Sequence, residues 1–293
     1  MLRNGATGDW IGTFQGHKGA VWACVLNDPA FVAATASADF TARVWNAVTG
    51  DEVHQFAHKH IVRTTAFERG ATATRLVTGG AEKLLRIFDL QRPEADPHTL
   101  PPAPDNIRCA TWAVNNTVLL VSYLDKPNVD IWDVRTDAGV VKTLQTKGTV
   151  TSIELTNPSD GQYIVTADGS SVQIRDGAYL DRVVKEHIVS DYEVETASYC
   201  PERQRIVCGG TDMWVHLHDS RTGEELESGR GHHGPVHCVR FAPGGATYAS
   251  GSEDGTIRIW QTDFILQQEE QQQVVKNSTV STTAITTTNG SGK

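Results

Sequence analysis

The chain has 293 residues, 39% of them hydrophobic, and a formal net charge of -9 with a pI near 5.6. This length allows one large all-β domain or two smaller domains, and the apolar content is ordinary for a globular protein. An acidic chain is poorly suited to wholesale phosphate-backbone binding, and no stretch approaches the roughly 20 apolar residues of a membrane span. We also expect no secretory signal, since the first residues lack an apolar core.

The cysteines point to a reducing compartment. There are five of them, an odd number, and none forms a C-x-x-C pair. A disulfide framework is therefore not expected, and a cytoplasmic and nuclear location fits this composition.

A short apolar run ending in an aromatic residue and Asp, or in close variants of that pair, recurs along the chain. The residues in the aromatic slot are Trp45, Phe88, Trp132, Arg175, His218 and Trp260. Successive copies are 42 to 44 residues apart. A period of about 40–45 residues with a terminal Trp-Asp is the signature of the WD40 repeat, which supplies four strands of a β-propeller blade.

Turn residues keep step with this repeat. Thr7-Gly8-Asp9, Thr49-Gly50-Asp51 and Thr222-Gly223-Glu224 follow the aromatic slot at one offset. Glycine there suits the positive φ of a tight hairpin turn. The alternating runs that come next, such as Val53–Phe56 and Val140–Leu144, predict the outer strand of each blade.

Two repeats open with Gly-His and carry Ser, Asp and Trp at fixed offsets. The two sets are His17, Ser37, Asp39 and Trp45, and His232, Ser252, Asp254 and Trp260. We predict a buried chain of hydrogen bonds in each set, from the Trp N–H through the Ser hydroxyl and His to Asp. Other repeats keep only parts of it, pairing His58 with Thr78 and Asp212 with His218.

Ser, His and Asp could also be taken for a catalytic triad. The set recurs with the repeat, however, and its Ser lies within a strand of the blade, not on an exposed elbow. We therefore expect no catalytic residues, no enzymatic activity and no cofactor. His216 and His218, with His232 nearby, could be taken for a zinc site, but two of these residues fill slots of the repeat, so we expect no metal site.

The strand count gives six repeats, which allows a six-bladed ring closed by pairing of the first strand with the last blade. Leu2-Arg3-Asn4 falls at the aromatic slot of a still earlier repeat, which favours a seven-bladed propeller lacking most of its first blade. We assign residues 1–264 to the propeller. Residues 265–293 are rich in Gln, Ser and Thr and predict a disordered polar tail.

Several segments between the repeat markers are not generic. They include Thr7–Phe14, Lys83–Ile87, Gly234–Phe241 and Gly251–Thr256. In these segments the chain resembles the serine-threonine kinase receptor-associated (Unr-interacting) family of WD-repeat adaptors, over about residues 1–263. The chain departs from that family at the first blade, most of which is missing, and at the tail, which is not acidic.

The resemblance implies a seven-bladed scaffold that belongs to the survival-of-motor-neuron complex and acts in spliceosomal snRNP assembly and mRNA processing. It implies protein partners, among them Gemin-type subunits and an Unr-like RNA-binding protein, with RNA reached only indirectly. In animals the family also damps TGF-β receptor signalling. The alternative is a relative of subunit I of eukaryotic translation initiation factor three. Neither alternative involves a membrane or a small-molecule substrate.

Basic and aromatic residues cluster where two adjacent repeats open, and such loops share one face of a propeller. The predicted partner-binding residues are Lys18, Trp22, Phe40, Lys59, His60, Arg63 and Lys83. Trp and Arg are typical of interface hot spots. The cluster predicts a docking site for an acidic peptide or an RNA–protein partner, and the alternative is a solvated group of loops.

Overall fold

The computed structural model describes residues 1–262 except 114, 137 and 157–161. The predicted polar tail at 265–293 lies outside these residues. The described part consists of 25 strands and one 3-10 turn at Pro243–Gly245. Its sheets are all antiparallel, and six of them follow one another as the blades of a propeller. The predicted all-β WD40 fold is confirmed.

Blades 1 to 5 have four strands each, which pair in chain order. Blade 1 contains β3 (Val21–Leu26), β4 (Val32–Ser37), β5 (Thr41–Asn46) and β6 (Glu52–Ala57). Blade 2 contains β7 (Val62–Phe67), β8 (Arg75–Gly80), β9 (Arg86–Asp89) and β10 (His98–Thr99). Blade 3 contains β11 (Ile107–Trp112), β12 (Val118–Tyr123), β13 (Asn128–Asp133) and β14 (Val140–Gln145).

Blade 4 contains β15 (Ser152–Leu155), β16 (Tyr163–Ala167), β17 (Ser171–Asp176) and β18 (Val183–Ile188). Blade 5 contains β19 (Val194–Cys200), β20 (Arg205–Gly210), β21 (Val215–Asp219) and β22 (Glu225–Gly229). Blade 6 has three strands in the described part, β23 (Val236–Phe241), β24 (Thr247–Ser252) and β25 (Ile257–Gln261). A separate hairpin precedes them all, β1 (Leu2–Arg3) and β2 (Trp10–Gly12).

Apolar side chains between consecutive blades form the core. Phe56 and Phe88 stack with their ring centroids 4.0 Å apart where blade 1 meets blade 2. Further clusters join each later pair of blades, centred on Trp112, Ile131 and Ile206 among others. Full burial of one such side chain contributes roughly 1.5–3 kcal/mol. Within the described part of the chain, no helix has the length and apolarity needed to span a membrane.

The hairpin β1–β2 is the outer half of a further blade. The amide of Asn4 bonds the carbonyl of Asp9 at 2.8 Å, and Asn46 bonds Asp51 in the same way at 2.9 Å in blade 1. This equivalence confirms that Leu2-Arg3-Asn4 occupies the aromatic slot of an earlier repeat. Strand β2 pairs with β1, whereas the described part of blade 6 pairs only within itself. The alternative, a six-bladed ring closed by pairing of the first strand with the last blade, is therefore not seen among the described residues.

The predicted polar chain exists in blades 1 and 6, but a different hydroxyl completes it. In blade 1, His17 Nδ1 lies 2.8 Å from a carboxylate oxygen of Asp39, and its Nε2 lies 2.6 Å from the hydroxyl of Thr35. The indole N–H of Trp45 donates to the same hydroxyl at 2.8 Å. The prediction that Ser37 occupies this position is wrong.

Blade 6 repeats the arrangement. His232 lies 3.3 Å from a carboxylate oxygen of Asp254 and 2.7 Å from the hydroxyl of Ser250. Trp260 donates its indole N–H to Ser250 at 2.8 Å. Ser250 therefore takes the position that was predicted for Ser252.

Strand register explains both corrections. Trp45 lies opposite Ala33, and Thr35 is the next residue of β4 on the same face. Ser37 is two residues further on, about 13 Å from Ala33 at a rise of about 3.3 Å per residue, which is beyond the reach of the indole. Its hydroxyl accepts a hydrogen bond from the amide of Asp39 at 3.2 Å and stabilises the turn instead.

Two incomplete sets have different outcomes. His58 does meet the hydroxyl of Thr78, at 3.4 Å. Asp212, however, pairs with Nε2 of His216 at 2.8 Å, and the predicted pairing with His218 is wrong. His216 lies one step nearer the turn on the same face of β21, while His218 fills the buried aromatic slot.

Blade 3 holds a polar chain that was not predicted. The indole N–H of Trp132 donates to the hydroxyl of Tyr123 at 3.2 Å, and this hydroxyl donates to the carboxylate of Asp130 at 2.8 Å. All three side chains are buried. Tyr123 thus replaces both the His and the small hydroxyl residue of blades 1 and 6.

The two hydroxyls of β4 can be separated by stability measurements. Thr35→Val should lower the free energy of unfolding by about 2–3 kcal/mol, because the buried indole of Trp45 and the imidazole of His17 both lose a partner. Ser37→Ala removes hydrogen bonds to two backbone groups, the amide of Asp39 and the carbonyl of Gly19, and should cost about 1 kcal/mol. Urea unfolding measures both values. Equal losses would contradict the assignment of Thr35 as the central hydroxyl.

A candidate docking face at the channel mouth

In each blade the first strand is the innermost. The start of this strand and the turn between the second and third strands lie at the same end of the ring. Ser37, at the end of β4, pairs with Val21, at the start of β3, so turn 38–40 adjoins that start. Gly80 pairs with Val62 in the same way in blade 2. We call this end of the propeller the upper face. It also carries the loops that enter blades 1 and 2.

A β-bulge interrupts the pairing at the second residue of the inner strand in five blades. The bulged residues are Trp22, Arg63, Arg108, Glu195 and His237. A bulge twists its strand and re-aims the extra side chain, and bulges are frequent beside functional sites. These five residues therefore form a partial ring around the mouth of the channel.

Contacts between the bulged residues distinguish two parts of the ring. Arg108 and Glu195 form an ion pair at 3.0 Å, and they belong to blades 3 and 5, so the pair reaches across the channel. The guanidinium of Arg63 instead stacks over the ring of Trp22, 4.6 Å from its centroid. No acceptor among the described residues meets the buried Nε of Arg63. Trp22 itself is 53% exposed.

The other predicted docking residues lie on the same face, in the turns and entering loops of blades 1 and 2. The ring of Phe40 lies 5.5 Å from that of His60. The backbone amides of Lys59 and His60 both donate to the carboxylate of Glu82. Lys83 pairs with Asp105 at 3.4 Å. The role of these residues in docking stays a prediction, because contacts within the chain do not test it.

Lys18 joins the group through its backbone, whose amide donates to Asp39 at 2.9 Å. Burial would raise the pKa of the Asp39 carboxyl, but hydrogen bonds from Thr41, Lys18 and His17 together hold it well below its ordinary value. The loop that carries Lys18 is thus attached to an ionised side chain. The ammonium groups of Lys18 and Lys59 have no carboxylate partner among the described ion pairs.

Beneath the second loop lies an uncharged histidine. Burial lowers the pKa of His58 to about 4, and the nearby Arg86 adds to the effect. An N–H of Arg86 points at Nδ1 of His58 at 2.6 Å, which requires the neutral ring as acceptor. Arg86 also pairs with Glu82, so the residues that hold Lys59 form one network.

At the opposite mouth of the channel, charged and polar side chains of the protein pair with one another. A cavity of about 480 Å³ opens there, lined by Glu154, Ser198 and Phe241 among others. Glu154 accepts a hydrogen bond from Ser198 at 2.9 Å and lies 3.5 Å from Nε of Arg240. Burial raises the pKa of Glu154, against the opposing effect of Arg240. These groups brace blades 4, 5 and 6 across the channel.

Two of the three histidines that could be taken for a zinc site have other partners. His216 contacts Asp212 and Glu225, and His232 belongs to the polar chain of blade 6. Among the described residues, no three His, Cys, Asp or Glu side chains are grouped as metal ligands would be.

Comparison with known proteins defines the class of this molecule. The family model for the WD domain, G-beta repeat, matches residues 8–46 and 223–261, which include parts of blades 1 and 6. With its six consecutive antiparallel blades, the chain is a WD-repeat β-propeller. Propellers of this class serve as scaffolds that hold protein partners.

The particular family follows from closer relatives. The chain is 46% identical to the serine-threonine kinase receptor-associated proteins of Gallus gallus and Homo sapiens, over 89% of its own length and 72% of theirs. Identity to the protein of that name in Dictyostelium discoideum is 43%, over 89% of this chain and 86% of the relative. The chain therefore belongs to the serine-threonine kinase receptor-associated protein family. A subunit I of eukaryotic translation initiation factor 3, from Botryotinia fuckeliana, is 27% identical over 279 residues.

Sequence reasoning found the loop residues of the upper face but missed the bulges. Arg108 and Glu195 were not singled out, although each follows a buried Ile or Val at the start of an inner strand. The same position holds Trp22 and Arg63. A large polar or aromatic residue after the first apolar residue of each inner strand is the signal that could have found them.

His58 makes stability depend on pH in a defined window. Its pKa is about 4 when folded against an ordinary value of 6.5, so the unfolded chain binds a proton that the folded chain excludes. Above pH 6.5 the free energy of unfolding is unaffected by protonation of His58. Below that pH it decreases toward pH 4, by up to about 3 kcal/mol. Unfolding in urea at pH 7 and pH 4.5 should show a smaller difference for His58→Gln than for the parent. Equal differences would contradict a neutral buried ring.

Proposed function

We propose that this protein is a non-enzymatic scaffold of the survival-of-motor-neuron complex, acting in spliceosomal snRNP assembly and mRNA processing in the cytoplasm and nucleus. Membership of the serine-threonine kinase receptor-associated protein family supports the proposal, since the sequence resemblance implies that complex. Arg108 and Glu195, which meet across the channel, are paired with each other, which suits a structural role.

The observation that carries a binding role is the Trp22–Arg63 stack. A tryptophan that is 53% exposed and stacked under a guanidinium at the mouth of the channel offers a large, held surface to a partner. Trp and Arg dominate the binding energy of protein interfaces because they bury large areas with fixed geometry. We infer that Lys18, Trp22, Phe40, Lys59, His60, Arg63 and Lys83 form the main docking surface. Its partners are proteins, and RNA is reached through them.

Affinity purification of the tagged full chain, followed by mass spectrometry, tests the assignment to a complex. We expect Sm proteins, Gemin-type subunits and an Unr-like RNA-binding protein. The 27% identity to initiation factor 3 subunit I gives the alternative outcome, recovery of 40S-bound initiation factors. That result would replace the snRNP proposal but leave the scaffold role.

A double substitution tests the docking surface. Trp22→Ala with Lys59→Glu should reduce recovery of the co-purifying proteins at least about tenfold, as loss of a hot spot does. Both side chains are exposed, so the melting temperature should change by less than about 3 °C. The matched control is Phe31→Ala, which removes a side chain that is 63% exposed in the β3–β4 loop at the opposite end. Unchanged recovery by the double variant would exclude this surface.

A further inference from the structure

The turns between second and third strands carry an unusual backbone conformation. In blades 4 and 6 the left-handed position is Gly169 and Gly255, with φ of 84° and 79°. In blades 1, 2 and 5 the same position is Phe40, Lys83 and Met213, with φ of 68°, 58° and 71°. In all five turns an Asp or Glu comes directly before. The turn therefore accepts glycine, and a bulky side chain there carries backbone strain.

Lys83 is held by its ion pair with Asp105, but the described contacts inside the chain do not account for Phe40 and Met213 in the same way. Phe40 is 43% exposed and its ring meets only His60 among the described ring contacts. Met213 is 40% exposed. Strain that persists at surface positions usually serves a function. On the docking surface, Phe40 presents an apolar ring to solvent beside the basic loop.

Arg63 gives the docking surface a group that can bind a charged side chain of a partner. Among the bulged residues there are two arginines, and Arg108 is neutralised by Glu195 at 3.0 Å. Arg63 is partly exposed and held by its stack on Trp22, and no carboxylate among the described residues forms an ion pair with it. A guanidinium held in a fixed plane without a carboxylate partner is the group that best receives a carboxylate.

The surroundings favour a carboxylate peptide over RNA. Backbone binding of nucleic acid needs many cations, each neutralising a phosphate. Here Lys83 is paired with Asp105, and the carboxylates of Asp39 and Glu82 lie within the surface. The unpaired cations are few, and the chain carries a net charge of -9. A single carboxylate can approach Arg63 where a run of phosphates would be repelled.

We infer that the Trp22–Arg63 stack and Phe40 together recognise a peptide segment in which an acidic residue lies next to a large apolar one. The carboxylate binds Arg63 with support from Lys59, and the apolar side chain packs on Phe40. This inference rests on the proposed docking surface and specifies the chemistry of its partner. Phe40 occupies a glycine position because its ring supplies half of the contact.

Binding of a labelled peptide to the full chain tests the inference. The probe is a fluorescein-labelled peptide of alternating Glu with Leu and Phe, compared by fluorescence anisotropy with the same peptide carrying Gln for Glu. The Glu peptide should bind at least about tenfold more tightly, and more weakly as salt rises. Arg63→Met should remove this preference, whereas Arg63→Lys should retain part of it.

Two glycine substitutions supply the matched comparison. Phe40→Gly and Met213→Gly both relieve the left-handed strain, so neither should lower the melting temperature. Only Phe40→Gly should weaken peptide binding, at least about tenfold. The inference would be overturned if the two substitutions changed peptide affinity equally, or if the Gln peptide bound as tightly as the Glu peptide. It would also be overturned if binding did not saturate below about 1 mM, or if oligouridylate RNA bound more tightly than the peptide.

Co-purification keeps this test distinct from the scaffold proposal. If Phe40→Gly loses the peptide and also the co-purifying proteins, both ideas stand. If the proteins of the snRNP assembly remain bound while the peptide result fails, the recognition chemistry is wrong and the scaffold survives. Loss of the expected proteins from the parent chain, with peptide binding intact, refutes only the assignment to that complex.

Discussion

Apolar contact between neighbouring sheets is the constraint on which the rest of this molecule depends. A blade of about forty residues cannot cover its own two apolar faces, and stacking against the next blade is what buries them. The stack of Phe56 on Phe88 shows the principle where blade 1 meets blade 2. Because each interface is formed in this way, the loops at both ends of the ring do not contribute to the apolar core, and their side chains can vary in chemistry. The bulged residues and the left-handed turns lie in that variable zone.

Polar chains fix the geometry that apolar packing leaves loose. In blades 1 and 6 a His, a hydroxyl, an Asp and a Trp join two strands, the turn between them and the entering loop. Blade 3 reaches a similar result with Tyr123 and Asp130, and blade 2 uses His58 with an arginine. In blades 1, 3 and 6 the polar chain satisfies the buried indole N–H of the Trp, whereas blade 2 has Phe88 in that position and its His58 accepts from Arg86 instead. In blades 1 and 2 the chain also anchors a loop of the docking surface, so stability and recognition share residues such as Asp39.

The sequence was sufficient for the repeat, the blade order and the hairpin turns, because each of these leaves a periodic mark. It was sufficient for Trp45, His17 and Asp39 as one group, but not for Thr35, since choosing between hydroxyls two residues apart requires the register of facing strands. Tyr123 was missed because a phenol can replace two smaller groups at once. The bulges at Arg63 and Arg108 depend on where a ladder of hydrogen bonds slips, and the sequence marks that place only by a large polar residue after the first apolar residue of the inner strand. For the candidate surface, loop position sufficed to group its residues, while the uncompensated Nε of Arg63 emerged only from three-dimensional neighbours.

The two sides of blade 1 differ in apolar packing, because one side meets the hairpin β1–β2 and the other meets blade 2. Blades 2 to 5 pack against a neighbouring blade on both sides. The side of blade 1 away from blade 2 has only a small apolar cluster, which consists of Ala33, Trp45, Ala47 and Phe14. Beside it a cavity of about 660 Å³ lies between Leu2 and Val21. Among the described residues, this side of blade 1 therefore has the smaller apolar contact. Trp22 and Arg63 bridge blades 1 and 2 on its other side, so a ligand that contacts both would stabilise the attachment of blade 1 to the rest of the propeller.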